Sequence, residues 1–140
     1  MAFFSNAFNT RQYEVVAIGD SSTPIAVGAA VKLITLPTGL TSPNFYFKVA
    51  VASSTDEIFG VVSAKSSPIS DTVTGGVVLL NAGLIPILAN AAGNKNDLIK
   101  VATTDGKWEV CTTGDLSEAR LLETVTAGNL AWAVPVRLIA

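Results

Sequence analysis

Between Ile58 and Leu88 the chain reads IFGVVSAKSSPISDTVTGGVVLLNAGLIPIL, and no other stretch restricts the possible folds as much. Val61, Val62, Val77, Val78, Leu79, Leu80, Ile85 and Ile87 are strand formers, and the polar link Ser66 to Thr74 divides them into two runs. Two neighbouring strands joined by an exposed loop are expected. Within each run apolar residues follow one another instead of alternating. Each run therefore requires cover on both faces, from the rest of the domain or from another subunit.

The remaining sequence is punctuated in the same way. Tyr13 to Ile18 reads as a strand ending in the turn Gly19 to Ser22, and Pro24 to Thr35 as a strand pair or one bent strand broken at Gly28. Leu36 to Asn44 is a loop. Phe45, Phe47, Val49 and Val51 alternate with Tyr46, Lys48 and Ala50, which places one face of that strand in a core. Leu98 to Thr103 and Lys107 to Thr112 flank Thr104-Asp105-Gly106, a hairpin signal because glycine accepts the positive φ of a tight turn. Leu116 to Ala119 reads as one helical turn at most. Ala119 to Thr126 and Leu130 to Ile139 pair through Ala127-Gly128-Asn129, with Pro135 expected at an edge, a bulge or an outward-facing position. A faint echo between IAVGAAVKLIT and GNKNDLIKVAT reads as shared hairpin chemistry and not as a repeat. The fold class expected is all-β, a small β-barrel or β-sandwich of about eight to ten short strands. It forms a single β domain over residues 13–140, preceded by an extended N-terminal arm over residues 1–12.

In that arm Phe3, Phe4, Phe8 and Arg11 lie among Ser, Asn and Thr with no period of 3.6 or 2. Phenylalanines left in water are costly, so the arm reads as an anchor docking on a neighbour, the alternative being a tail folded onto its own core. Composition points the same way. Charged residues make up 14% of the chain against a usual value of about 25%, and the mean hydropathy is +0.49, so association is the economical reading.

The net charge of −2 and the scatter of the nine Lys and Arg residues argue against a nucleic-acid partner. With no histidine and Cys111 as the single cysteine, one chain lacks a Cys/His zinc site and His-based acid–base catalysis, and no cofactor is expected. Cys111 itself reads as a buried small apolar residue. Residues 1–13 lack the basic start and apolar core of a signal peptide. Thr72 to Asn94 is uncharged and long enough to cross a bilayer, but Gly75, Gly76, Asn81, Gly83, Pro86 and Asn90 argue against a span, so no membrane partner is expected. Asp56-Glu57 reads as a solvated turn, since neighbouring strand residues face opposite ways. Lys65 beside Ser66 and Ser67 lacks the spacing of a Ser-Lys dyad, and Gly75-Gly76 precedes a strand and not a phosphate-binding helix. Trp108 and Trp132 lie in apolar strands, as core or subunit-interface residues. The chain is not expected to be an enzyme.

Taken together, FGVVSA, TGGVVLLNAGLIPI, GNKNDLIKV, TTDGKWEV and EARLLETVTAGNLAWAVPVRL resemble the capsid decoration, or cement, proteins of tailed bacteriophages and related small phage structural proteins. The closing element of that group is matched by Leu122-Glu123-Thr124-Val125-Thr126-Ala127-Gly128-Asn129 followed by Val134-Pro135-Val136-Arg137-Leu138, and the resemblance covers Ile58 to Leu138. Leu36 to Val51 is longer than in that group, and Leu98-Ile99-Lys100 departs from its D-x-V pattern. The resemblance implies a virion protein on the outer surface of the capsid, commonly a homotrimer, that binds the major capsid protein and stabilises contacts between its subunits. No catalytic residues come with it. Phe3, Phe4, Phe8, Arg11, Tyr46 and Trp132 are the candidate protein-interaction residues. The competing expectation is a phage tail, fibre or baseplate β-domain, or a carbohydrate-binding module, with Tyr46 or a tryptophan open to solvent as a platform.

Overall fold

A computed structural model describes residues 13–35, 47–72, 76–81, 83–103 and 105–139. Their ten strands are β1 (Tyr13–Gly19), β2 (Ala30–Thr35), β3 (Phe47–Val51), β4 (Gly60–Val62), β5 (Gly76–Asn81), β6 (Ile85–Leu88), β7 (Leu98–Val101), β8 (Trp108–Val110), β9 (Leu116–Leu121) and β10 (Leu130–Ile139). Strands β1-β3-β2-β4-β5 close into a barrel, and β6-β10-β9-β7-β8 form a second five-stranded sheet. The all-β expectation, with barrel closure, is what the chain adopts. The candidate residues Phe3, Phe4, Phe8, Arg11 and Tyr46 lie outside the described residues, as does the expected loop over residues 36–44.

The continuous apolar runs are explained by where they sit. Val62 and Val78 point into the barrel with Ala17, Ile25, Ala29, Val31, Val49 and Ile69. Their neighbours Val61 and Leu79 point outward, joining Ala30 and Ala52 in a second core shared with Ile87, Ile99, Trp108, Leu121 and Ala133 of the other sheet. A barrel wall covered by a sheet must be apolar on both faces. The second run, read as one strand, is two. β5 stays in the barrel, paired with β4 through Val61↔Leu79 and Val62↔Val78, and after Gly83-Leu84 the chain crosses to the other sheet as β6. The 72–94 stretch thus supplies the two strands β5 and β6, and no helix among the described residues is long and apolar enough to cross a membrane. Leu116 to Ala119 is also not helical. It opens β9, with Ser117 and Ala119 buried between outward Leu116, Glu118 and Arg120, because pairing with β7 and β10 overrides the local preference.

Both sheets follow one plan. Adding five to each strand number converts the barrel order β3-β2-β4-β5-β1 into the sheet order β8-β7-β9-β10-β6. The registers agree as well. Ala30↔Val61 and Val31↔Gly60 recur as Leu98↔Arg120 and Ile99↔Ala119, and Val62↔Val78 recurs as Leu121↔Ala133. The isolated bridge Ile25↔Ile69 recurs as Gly93↔Val125, and Gly19↔Val49 of the parallel β1/β3 pairing recurs as the parallel bridge Ala89↔Trp108. The chain therefore holds two copies of a five-stranded unit, closed by a ladder in the first half and by a single bridge in the second. The echo between residues 25–35 and 93–103 is the trace of this repeat, contrary to its reading as shared hairpin chemistry: Ile25 and Gly93, Gly28 and Asn96, Lys32 and Lys100 hold equivalent places.

One turn device serves both halves. Gly28, Asn96, Gly106, Gly114 and Gly128 have φ between 64° and 92°, and each stands two residues before a strand, β2, β7, β8, β9 or β10. Left-handed backbone at that point reverses the chain into its ladder. The Asp105-Gly106 hairpin is as expected: both residues have φ 64°, and Ile99↔Val110 and Val101↔Trp108 pair across it. Pro135 likewise lies at a bulge, the β9 register shifting between Pro135 and Leu138, beyond the last residue paired with β6.

Candidate interaction surface

On β10 the small residues face inward. Ala131 and Ala133 are buried while Leu130 and Trp132 are 51% and 41% exposed, because the barrel wall approaches closely at Gly28. There a Cβ would meet the backbone of Ile87 and Leu88 within 2.9 Å and the Leu130 side chain at 2.6 Å. Six large apolar side chains stand exposed among the described residues, and four of them, Leu116, Leu122, Leu130 and Trp132, lie on or beside the outward face of the second sheet. The Leu122 amide donates to the Trp132 carbonyl, and the Glu123 carboxylate accepts from the Trp132 amide at 3.2 Å, so Leu122 is held next to the indole's strand. Trp132 is thus an outward residue and not a core one. Trp108, by contrast, is buried and donates its Nε1–H to the Gly28 carbonyl at 3.1 Å, pinning the two halves together.

A shallow cavity of about 300 Å³ runs between the halves, lined by Ser53, Asp56 and Ile58 from the first and Lys100, Asp115 and Glu118 from the second. Its charges are paired. Lys100 Nζ sits 3.0 Å from Asp115 and 3.9 Å from Glu109, while Lys32 sits 3.4 Å from Asp56. The Thr112 backbone amide, joined by Lys100 and the Thr112 hydroxyl, holds the Asp115 carboxyl down to about 2. The Ser53 amide and hydroxyl lower Asp56 in the same way, and the hydrogen bond to Asp115 raises Lys100. Groups so fixed in their charged forms are poor proton carriers near neutral pH. Asp56 and Asp115 are equivalent residues of the two halves, each clasping the start of its own four-residue turn.

The other sequence candidates resolve as local structure. Ser66 is buried, donating to the Ser67 carbonyl at 2.6 Å and accepting from the Val77 amide at 2.9 Å, while Lys65 pairs with Glu14 at 3.8 Å. Cys111 is half-buried, and burial pushes its thiol above the ordinary value. Among the described residues no three His, Cys, Asp or Glu side chains gather to hold a metal ion.

No family model matches the chain, and no curated protein matches it by sequence. Its fold is nevertheless shared. The chain is similar to the crystal structure of the N base of head fiber gp8.5 in bacteriophage phi29, with a TM-score of 0.59 and 10% identity, over 93% of this chain and 98% of that one. At this identity the likeness is one of fold.

Of the six sequence candidates, only Trp132 falls among the described residues, and the structure brings Leu116, Leu122 and Leu130 to its face. Sequence reasoning passed these over. The signal was present in LAWAVP, where large residues at 130, 132 and 134 alternate with alanines at 131 and 133. The usual expectation that the larger residues point inward fails where two sheets approach closely.

Proposed function

We propose that this chain is a structural protein of a tailed-phage virion that sits on the outer surface of the capsid as a homo-oligomer, a trimer in the simplest case. There it binds the major capsid protein and holds neighbouring capsid subunits together. The observation that carries the reading is the shared fold with a phage head-fiber base over nearly the whole of both chains. The decoration-protein pattern over Ile58 to Leu138 supports it independently, and the low charge suits a protein that buries apolar surface across several partners. The role needs no cofactor and no catalytic group.

The test is reconstitution. Heads assembled without this protein are mixed with it, sedimented, heated and imaged. Saturable binding at local three-fold positions, with a higher temperature of head disruption, is expected. Failure to bind heads overturns the reading. A second reading is favoured by the neighbour being a fibre base: the chain then seats a fibre on the head. It predicts head binding without any gain in head stability.

A further inference from the structure

Within one chain, the first half presents an outward face to the second. Ala30, Ala52, Val61 and Leu79 of the barrel are buried against the second sheet, and β6 reaches across, with the Leu88 amide donating to the Gly28 carbonyl at 3.0 Å. Equivalence between the halves locates the matching face on the second unit. Ala30 and Val61 correspond to Leu98 and Arg120 through their common ladder positions, Ala52 to Cys111 through the hydrogen bonds their amides donate to the Ala30 and Leu98 carbonyls, and Leu79 to Val134 through Val61↔Leu79 and Arg120↔Val134. All four of these second-half residues are only half-buried. Along the same strand face Phe59 gives way to Glu118 and Val61 to Arg120, and apolar residues appear on either side of that charged pair. Where the first half has Glu57 and Ser63, the second has exposed Leu116 and Leu122, and Val77 is replaced by exposed Trp132. A face that is covered in one unit and carries exposed Leu116, Leu122 and Trp132 in its twin is a contact surface awaiting a partner.

The same equivalence identifies that partner's side. The element that reaches across inside the chain is β6, whose Pro86 and Leu88 correspond to Val16 and Ile18 of β1, since Trp132↔Pro86 matches Val16↔Val77. Val16 is exposed. We infer that the outward face of the second half, centred on Val134, Leu122 and Trp132, receives the β1 side of a second copy, repeating between chains the contact made within one. This rests on the oligomer of the proposed function and adds its geometry. The contact is heterologous, a different patch on each side, so it gives a ring where its rotation closes and is not a two-fold dimer.

The experiment uses full-length protein with two variants, Leu122→Glu/Trp132→Glu on one patch and Val16→Glu on the other, and Ile34→Glu as an exposed control away from both. Sedimentation at micromolar concentration, alone and on heads, reads the state. The parent and Ile34→Glu oligomerise, and each patch variant sediments as a monomer with its β circular dichroism retained. An equimolar mixture of the two patch variants forms a one-to-one dimer, because each supplies the patch that the other lacks. No dimer in the mixture overturns the heterologous contact. Oligomers that survive both patch variants, or a parent monomeric in solution and on heads, overturn the surface itself. Loss of head binding by an oligomer that obeys these rules defeats the capsid role and leaves the inference standing.

Discussion

At the scale of single residues, two positions show how local chemistry is tied to the fold. Gly106 combines φ 64° with a neighbour that cannot move: a Cβ there would lie 2.5 Å from the Ala30 carbonyl oxygen, and Gly106 itself accepts a hydrogen bond from the Ala30 amide at 2.8 Å. Gly106→Val is therefore expected to cost at least about 1–3 kcal/mol, seen as a melting temperature lower by several degrees. An unchanged melting temperature is incompatible with this turn. Asp115 carries the pH dependence. Its carboxyl lies at about 2 against an ordinary value of 3.8, so its contribution to stability is complete above about pH 4 and drains away as the pH falls towards 2. Lys100, raised by the same pair, contributes below its unfolded value and loses that contribution as the solution becomes strongly alkaline. Asp115→Asn keeps an acceptor for the Thr112 amide and removes the charge. The variant should melt below the parent at pH 5, with the gap closing by pH 2; a gap of constant size rules out the charge as its cause.

At the scale of elements, the turns rank by what surrounds them. Gly28 and Gly128 have φ of 84° and 83°, but a Cβ at Gly128 meets nothing within 4 Å, whereas at Gly28 it meets the backbone of β6. Gly128→Ala is expected to cost about 1–2 kcal/mol for the left-handed backbone alone. Gly28→Ala should cost clearly more, since β6 must withdraw; equal losses in chemical denaturation would mean that β6 is not held against that turn. Such turns, together with strand composition, are what made β1, β3, the β7/β8 hairpin and the Pro135 bulge legible in the sequence. Local pattern could not say that Leu116 opens a strand, because that outcome belongs to its pairing with β10. It also could not reveal the repeat. Equivalent positions share side chains only where the plan demands a particular chemistry, as in the ion pairs Lys32–Asp56 and Lys100–Asp115, and elsewhere any strand-forming residue satisfies the ladder. The interaction face was legible only at Trp132, since Leu130 is outward beside the buried alanines of β10, while Leu116 and Leu122 are outward through the β9 register that buries Ser117 and Leu121.

At the scale of the whole molecule, the question is whether the two units are two domains or one. Each has its own ladder set, and the barrel has its own interior, yet the second core is built from both halves: Ala30, Ala52, Val61 and Leu79 on one side, Ile87, Ile99, Trp108 and Leu121 on the other. The second sheet alone is closed by one bridge and cannot bury these residues without the barrel wall. It should therefore not outlive the junction. Trp108 is placed to report this, buried between the halves with its indole on the Gly28 carbonyl, and Trp132→Phe leaves it the sole tryptophan. In that variant, thermal unfolding followed by Trp108 fluorescence and by circular dichroism is expected to give one coincident transition, the signature of a single cooperative unit. Removing the indole tests the same junction energetically, Trp108→Ala being expected to cost about 3–5 kcal/mol because it opens a cavity and leaves the Gly28 carbonyl with the Leu88 amide as its one remaining donor. If fluorescence instead changed first, with most of the strand signal still in place, the halves would be separable domains and the barrel would stand without its partner.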